Sequence, residues 1–122
     1  MNRPIIAVVD DDESVRESLP DLIREFGFAA QVFSSAEEFL ASDCIEQTGC
    51  LLLDVAMPGM NGWNLQKELK LRGYKFPIIF ITAHRDGGIR PKVIEEGAAE
   101  CLFKPFSDSA LLHALNEALQ TN

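Results

Sequence analysis

Apolar residues in this chain follow two rhythms. Uninterrupted runs at Ile5–Val9, 50–53 and 78–81, each bounded by turn residues, have the length and continuity of strands buried on both faces, as in a parallel sheet. Weaker runs at Ala29–Phe33 and 101–103 bring the strands to five. Between them the period lengthens to that of a helix. Val15, Leu19, Leu22, Ile23 and Phe26 share one helical face that ends at Gly27, a residue suited to the position just past a helix. Ser35 followed by Glu38 is a capping-box pattern, opening a short helix through Phe39 and Leu40. Residues 64–71 carry Leu65, Leu69 and Leu71 and are stopped by Gly73, while Leu111, Leu112, Leu115 and Leu119 form a last helix with Ser107 as its N-cap. Strand and helix alternate five times, so the pattern predicts an α/β doubly wound, five-stranded parallel sheet with helices on both faces.

Composition narrows the class of function. The 122 residues are 47% hydrophobic and 25% charged, enough apolar mass for one ordinary domain core. Eleven Lys and Arg against nineteen Asp and Glu give a formal charge of −8, which disfavours direct nucleic-acid binding or attachment to an anionic membrane by this domain. The three cysteines, Cys44, Cys50 and Cys101, form no C-x-x-C pair and are odd in number, as expected of packing residues in a reduced compartment. The first apolar run is five residues long, too short for a signal peptide or a membrane span, so a cytoplasmic location is expected.

The chemistry collects at the strand ends. In doubly wound sheets, ligand-binding groups gather beyond the carboxyl ends of the strands. Here those ends carry Asp10 and Asp11 after the first strand, Asp54 after the third, Thr82 after the fourth and Lys104 after the fifth. Asp12 reads as a helix N-cap. Asp10 and Asp11 together do not, because adjacent carboxylates at a strand terminus repel one another and call for a compensating cation, for which Mg2+ is the simplest candidate. Asp54 can share that metal with Asp11, and a carboxylate oxygen can attack phosphorus to give an aspartyl phosphate. Phosphoryl transfer needs mainly positioning and neutralised oxygens. Lys104, Thr82 and the backbone of the bent loop after Asp54 could provide both.

From Ile6-Ala7-Val8-Val9-Asp10-Asp11, through Leu53-Asp54-Val55-Ala56-Met57-Pro58-Gly59-Met60-Asn61-Gly62, Ile81-Thr82-Ala83 and Gly97-Ala98, to Phe103-Lys104-Pro105-Phe106, the chain resembles the response regulator receiver domain of two-component systems. Ser35-Ala36-Glu37-Glu38-Phe39-Leu40 looks most like the FixJ-like branch, whose members usually carry a C-terminal DNA-binding output domain. The resemblance implies a flavodoxin-like strand order 2-1-3-4-5, for which a chemotaxis relative is the general example. It implies residues 1–122 as a single receiver domain with no output domain in this chain. It implies Asp54 as phosphoacceptor, a histidine kinase as phosphoryl donor, and no enzymatic activity beyond the domain's own phosphorylation and dephosphorylation. By position, Asp11, Asp54 and the Ala56 backbone carbonyl would hold Mg2+, Asp10 would act through an ordered water, Thr82 and Lys104 would contact the phosphoryl group, and the Lys104-Pro105 bond would be cis.

Three positions depart from that pattern. Cys101 stands where a Tyr or Phe usually reorients together with Thr82, and its small side chain is not expected to reproduce such a switch. Pro20 falls inside the first helix and is expected to kink it. Gly87-Gly88 and Pro91 fall at the fourth helix, which is expected to open at Pro91, stop at Gly97 and be short. Residues 85–96 are therefore expected to be variably ordered, and their ordering on phosphorylation would create a homodimer face. Three other assignments compete with the receiver reading. A haloacid-dehalogenase-like phosphatase would use Asp10 as nucleophile, though no downstream Gly-Asp-x-x-x-Asp motif follows, and a phosphate-independent interaction module would leave the pocket idle. A flavodoxin-like electron carrier would want a hydroxyl- and glycine-rich phosphate loop where this chain has carboxylates.

Overall fold

A computed structural model describes residues 4–57, 59–83 and 88–120. Five strands, β1 (Ile5–Val9), β2 (Ala29–Phe33), β3 (Thr48–Asp54), β4 (Ile78–Thr82) and β5 (Glu100–Phe103), alternate with helices α1 (Glu13–Glu25), α2 (Ala36–Leu40), α3 (Gly62–Leu71), α4 (Ile89–Glu95) and α5 (Asp108–Gln120). A single turn of 3-10 helix, Ile45–Gln47, leads into β3. All pairings are parallel, as the apolar pattern predicts, in the order β2-β1-β3-β4-β5 that the family resemblance implies.

The continuous apolar strands acquire two faces by simple alternation. Ala7, Val9, Leu51, Leu53 and Phe80 pack with Phe39, Leu65, Leu69 and Val93 on one side. Ile6, Val8, Leu52, Ile79 and Ile81 pack with Leu19, Ile23, Leu111 and Leu115 on the other. Both faces are therefore closed to water, and β1, β3 and β4 can carry charge only where they end.

Helix boundaries follow local hydrogen bonds. Asp12 caps α1 by accepting from the Ser14 N–H, and the Ser107 hydroxyl accepts from the Ala110 N–H at 3.1 Å, both as expected. At α2 the Ser35 hydroxyl accepts from the Glu38 N–H, but Glu38 returns its bond to the Ser34 N–H at 2.7 Å rather than to Ser35. Helix α3 opens at Gly62, not at residue 64, because Asn61 supplies the cap through its side-chain oxygen and the Asn64 N–H. Pro20 is buried, and α1 runs unbroken across it.

Helix α4 differs from its expected start. It opens at Ile89, placing Pro91 third in the helix rather than first. The first four backbone N–H groups of a helix have no partner within it, so a proline there removes nothing. The buried side chains of Ile89 and Val93 favour the earlier start. It still ends before Gly97, whose φ of 110° suits a residue without Cβ, and is only seven residues long. Pro58 and residues 84–87, among them the first three of the 85–96 segment, lie outside the described residues.

Gly62 joins the fold to the pocket. A Cβ on it would collide with the Asp54 carbonyl oxygen and press on the Phe80 ring and the Val55 Cα, so α3 can approach the end of β3 only through a residue without a side chain. Gly62→Ala is expected to destabilise the domain by about 1–3 kcal/mol, the usual cost of overpacking a closed core. Urea denaturation checks this, and an unchanged midpoint would show that the α3 start can shift freely.

Candidate functional site

Strand register builds the pocket. Val9 pairs with Leu53, Asp54 with Ile81 and Thr82 with Phe103, so β1, β3, β4 and β5 end within about a residue of one another. Asp10 and Asp11 follow β1, Asp54 ends β3, Thr82 ends β4 and Lys104 follows β5, which puts all five at one sheet edge. The chain leaves β1 for β2 on one side and returns to β3 on the other, so Asp10 and Asp54 flank the point where the winding reverses. The Lys104 N–H donates to the Thr82 carbonyl at 2.7 Å and continues the ladder past β5. The Lys104-Pro105 bond is cis.

The carboxylates meet as the sequence suggests. One oxygen from each of Asp10, Asp11 and Asp54 lies within 4.8 Å of the other two. Asp10 is fully buried and Asp54 only 7% exposed, while Asp11 faces solvent. Asp10 is already committed. Its Oδ1 accepts from the Asp12 N–H at 2.9 Å and its Oδ2 pairs with the Lys104 ammonium at 2.8 Å. Such a buried pair is held by its geometry and is costly to leave half-made. Asp10 is accordingly a poor nucleophile, against the phosphatase alternative.

Asp54 is less well compensated. Its Oδ1 accepts from the Ala56 N–H at 3.3 Å. Burial, then the Asp10 charge beside it, pushes its carboxyl up from the usual carboxylate range to about 7, with Lys104 and the Ala56 N–H pulling the other way. Asp12, by contrast, is held below its ordinary value, first by the Ser14 hydroxyl and backbone N–H it binds.

Several side chains fall outside the cluster. Cys101 is buried in the core against the α3 and α4 side of the sheet, where burial raises its thiol pKa. Cys50 is pushed up to about 12 for the same reason, and the three cysteines are unpaired. Trp63 packs on the same core with the Lys92 ammonium 4.8 Å from its ring centroid. His113 is exposed on α5, away from the pocket.

Two contacts were not legible in the sequence. The Arg16 guanidinium donates to the Asp10 carbonyl at 3.0 Å, steadying the turn out of β1. Glu37 reaches from α2 to the loop after Asp54, where its Oε2 accepts from the Met60 N–H at 3.1 Å. No local pattern marks either residue, since each partner becomes adjacent only through the fold.

The donor set suits a hard divalent cation, being all oxygen, anionic and open on the Asp11 side. The comparisons agree with the geometry. Residues 6–116 match the response regulator receiver domain family. The chain is 42% identical over 116 residues to the response regulator protein TodT of Pseudomonas putida, covering 95% of this chain and 51% of that protein. It is 40% identical over 114 residues to the transcriptional regulatory protein FixJ of Azorhizobium caulinodans, covering 93% and 54%. Among solved structures it superimposes on the response regulator StyR with a TM-score of 0.90 at 46% identity, covering 99% of this chain and 61% of that one. The chain thus spans about half the length of these curated relatives.

The Asp54 shift makes a prediction about stability. Since its folded pKa of about 7 lies above the model-peptide value of 3.8, the native state keeps a proton that the unfolded chain releases. Stability from this group is present at low pH and is lost as pH rises from about 4 to about 7, by roughly 4 kcal/mol at most. In a chelator, thermal denaturation should therefore find Asp54→Asn gaining on wild type across that window and level above it. A constant difference between the two proteins would contradict the shift.

Proposed function

Because the chain belongs to the response regulator receiver domain family, we propose that it accepts a phosphoryl group from a histidine kinase onto Asp54 and signals through the aspartyl phosphate. The observation that supports this most directly is the convergence of Asp10, Asp11 and Asp54 within 4.8 Å at adjoining strand ends, with Lys104 beside them. Asp11, Asp54 and the Ala56 carbonyl would hold Mg2+, with Asp10 acting through an ordered water. When bound, the cation supplies positive charge that offsets repulsion between carboxylate and phosphoryl oxygens.

The protein's own groups perform the rest. An ionised Asp54 oxygen attacks phosphorus, the bond from phosphorus to the kinase imidazole nitrogen breaks, and the nitrogen keeps the electron pair. Lys104 then exchanges Asp10 for a phosphoryl oxygen, and the Thr82 hydroxyl contacts another. The domain has no separate substrate to turn over; its chemistry is confined to its own phosphorylation and dephosphorylation.

Residues 1–122 act in this reading as one receiver domain, located in the cytoplasm, where the kinase domain and phosphodonors reside. Among the described residues no helix is long and apolar enough to cross a membrane. With a charge of −8 the domain does not itself hold nucleic acid, and output passes to a DNA-binding domain outside residues 1–122. Cys101 is too small and too enclosed to swing as an aromatic switch would. The signal instead runs from Thr82 into the seven-residue α4, whose ordering presents a homodimer face.

Two measurements check this. Phosphoramidate should add the mass of one phosphoryl group to wild type only when Mg2+ is present, and none to Asp54→Asn; equal labelling of the two would remove Asp54 from the reaction. In a Trp63 fluorescence titration, Asp11→Asn should weaken Mg2+ binding more than about tenfold. The wild-type affinity itself should fall as pH drops below about 7, where protons compete at Asp54.

A further inference from the structure

The loop between Asp54 and α3 has to hold the Ala56 backbone still while containing Gly59, whose φ of 74° marks a turn that glycine adopts freely. Its two ends are fixed. The Ala56 N–H is tied to Asp54 Oδ1, and the Gly62 N–H donates to the Val55 carbonyl at 2.9 Å. The Met57 side chain is buried in the core, and the hydrogen bond from the Met60 N–H to Glu37 Oε2, 3.1 Å long, ties the loop backbone at Met60 to α2. Glu37 reaches this point from α2, which is itself anchored by the fully buried Ala36 and Phe39 and by the Ser35 cap. The loop leaves room for it: a Cβ at position 59 would stand 3.0 Å from the Glu37 carboxylate.

We infer that Glu37 is a positioning residue for the phosphorylation site: by holding the Met60 N–H it fixes the loop that aims the Ala56 carbonyl at the cation. The inference rests on the proposed role of Ala56, Asp11 and Asp54 toward Mg2+. A carbonyl on a wandering loop must be ordered each time a cation binds, and that ordering weakens affinity; a loop already fixed avoids the loss. Glu37 touches none of the reacting atoms. Its action is on the backbone, so the hydrogen-bond acceptor matters and the charge does not.

Substitution separates these effects. In metal-free protein, exchange of the Met60 amide hydrogen, followed by NMR, should be about three- to tenfold faster in Glu37→Ala than in wild type, the range expected for losing one hydrogen bond. Mg2+ affinity should weaken by a similar factor. Glu37→Gln keeps an acceptor oxygen at nearly the same reach and should restore both values. Unchanged exchange and affinity in Glu37→Ala would overturn the inference, as would a Glu37→Gln protein whose affinity falls as far as that of Glu37→Ala. Wild-type protein that fails to bind Mg2+ would refute the assigned site and this inference with it. Wild type that binds normally, beside a Glu37→Ala protein that binds equally well, would refute this inference alone.

Discussion

A sheet sealed on both faces can keep its charges only at the strand ends, and in this fold three carboxylates are brought to the same end. Their repulsion governs the pocket. Lys104 answers Asp10 with a contact of 2.8 Å in which the carboxylate is fully buried. Asp11 stays in solvent, and Asp54 is left between them with a carboxyl pushed up to about 7. The metal-free pocket is thus incompletely neutralised, and a cation or a proton can supply the missing charge. The poise that makes Asp54 costly as an anion also makes it responsive to what binds beside it.

Much of this was legible from pattern alone. Even the weak strand Ala29–Phe33 has the bounds its composition suggested, because β2 lies at the sheet edge and tolerates the polar Gln31. Strand β3 begins two residues before its apolar run, since Thr48 pairs with Ile5 by backbone position and the register shifts past Gly49 before Cys50 pairs with Ile6. Helix α4 opens earlier than a proline rule allows, because burial of Ile89 outweighs the preference for proline in first place. Asp10, Asp54, Thr82 and Lys104 could be read because each follows an apolar run directly. Arg16 and Glu37 could not, since their partners, the Asp10 carbonyl and the Met60 N–H, are backbone groups without a sequence signature.

The family assignment and the local departures fit one picture. The end of the sheet that carries Asp10, Asp11, Asp54, Thr82 and Lys104 is held by aligned register and by Gly62 at the start of α3. Beside β5 lie the buried Cys101 and a helix of only two turns. Helix α4 is joined to β5 by the Arg90 to Glu100 contact of 2.6 Å, an exposed pair of the sort that contributes little to stability. The pocket is therefore fixed by the closed core, whereas α4 is held by a small apolar face.

The central claim is that carboxylate crowding, borne mainly by Asp54, sets up the pocket for a cation. Direct titration of the Asp54 side-chain carboxyl by carbon-13 NMR, without and with saturating Mg2+, tests it. The account predicts a midpoint near 7 in the metal-free protein, moving down into or below the ordinary carboxylate range when the cation is present. An ordinary midpoint in both states, or one that Mg2+ leaves unmoved, would contradict it.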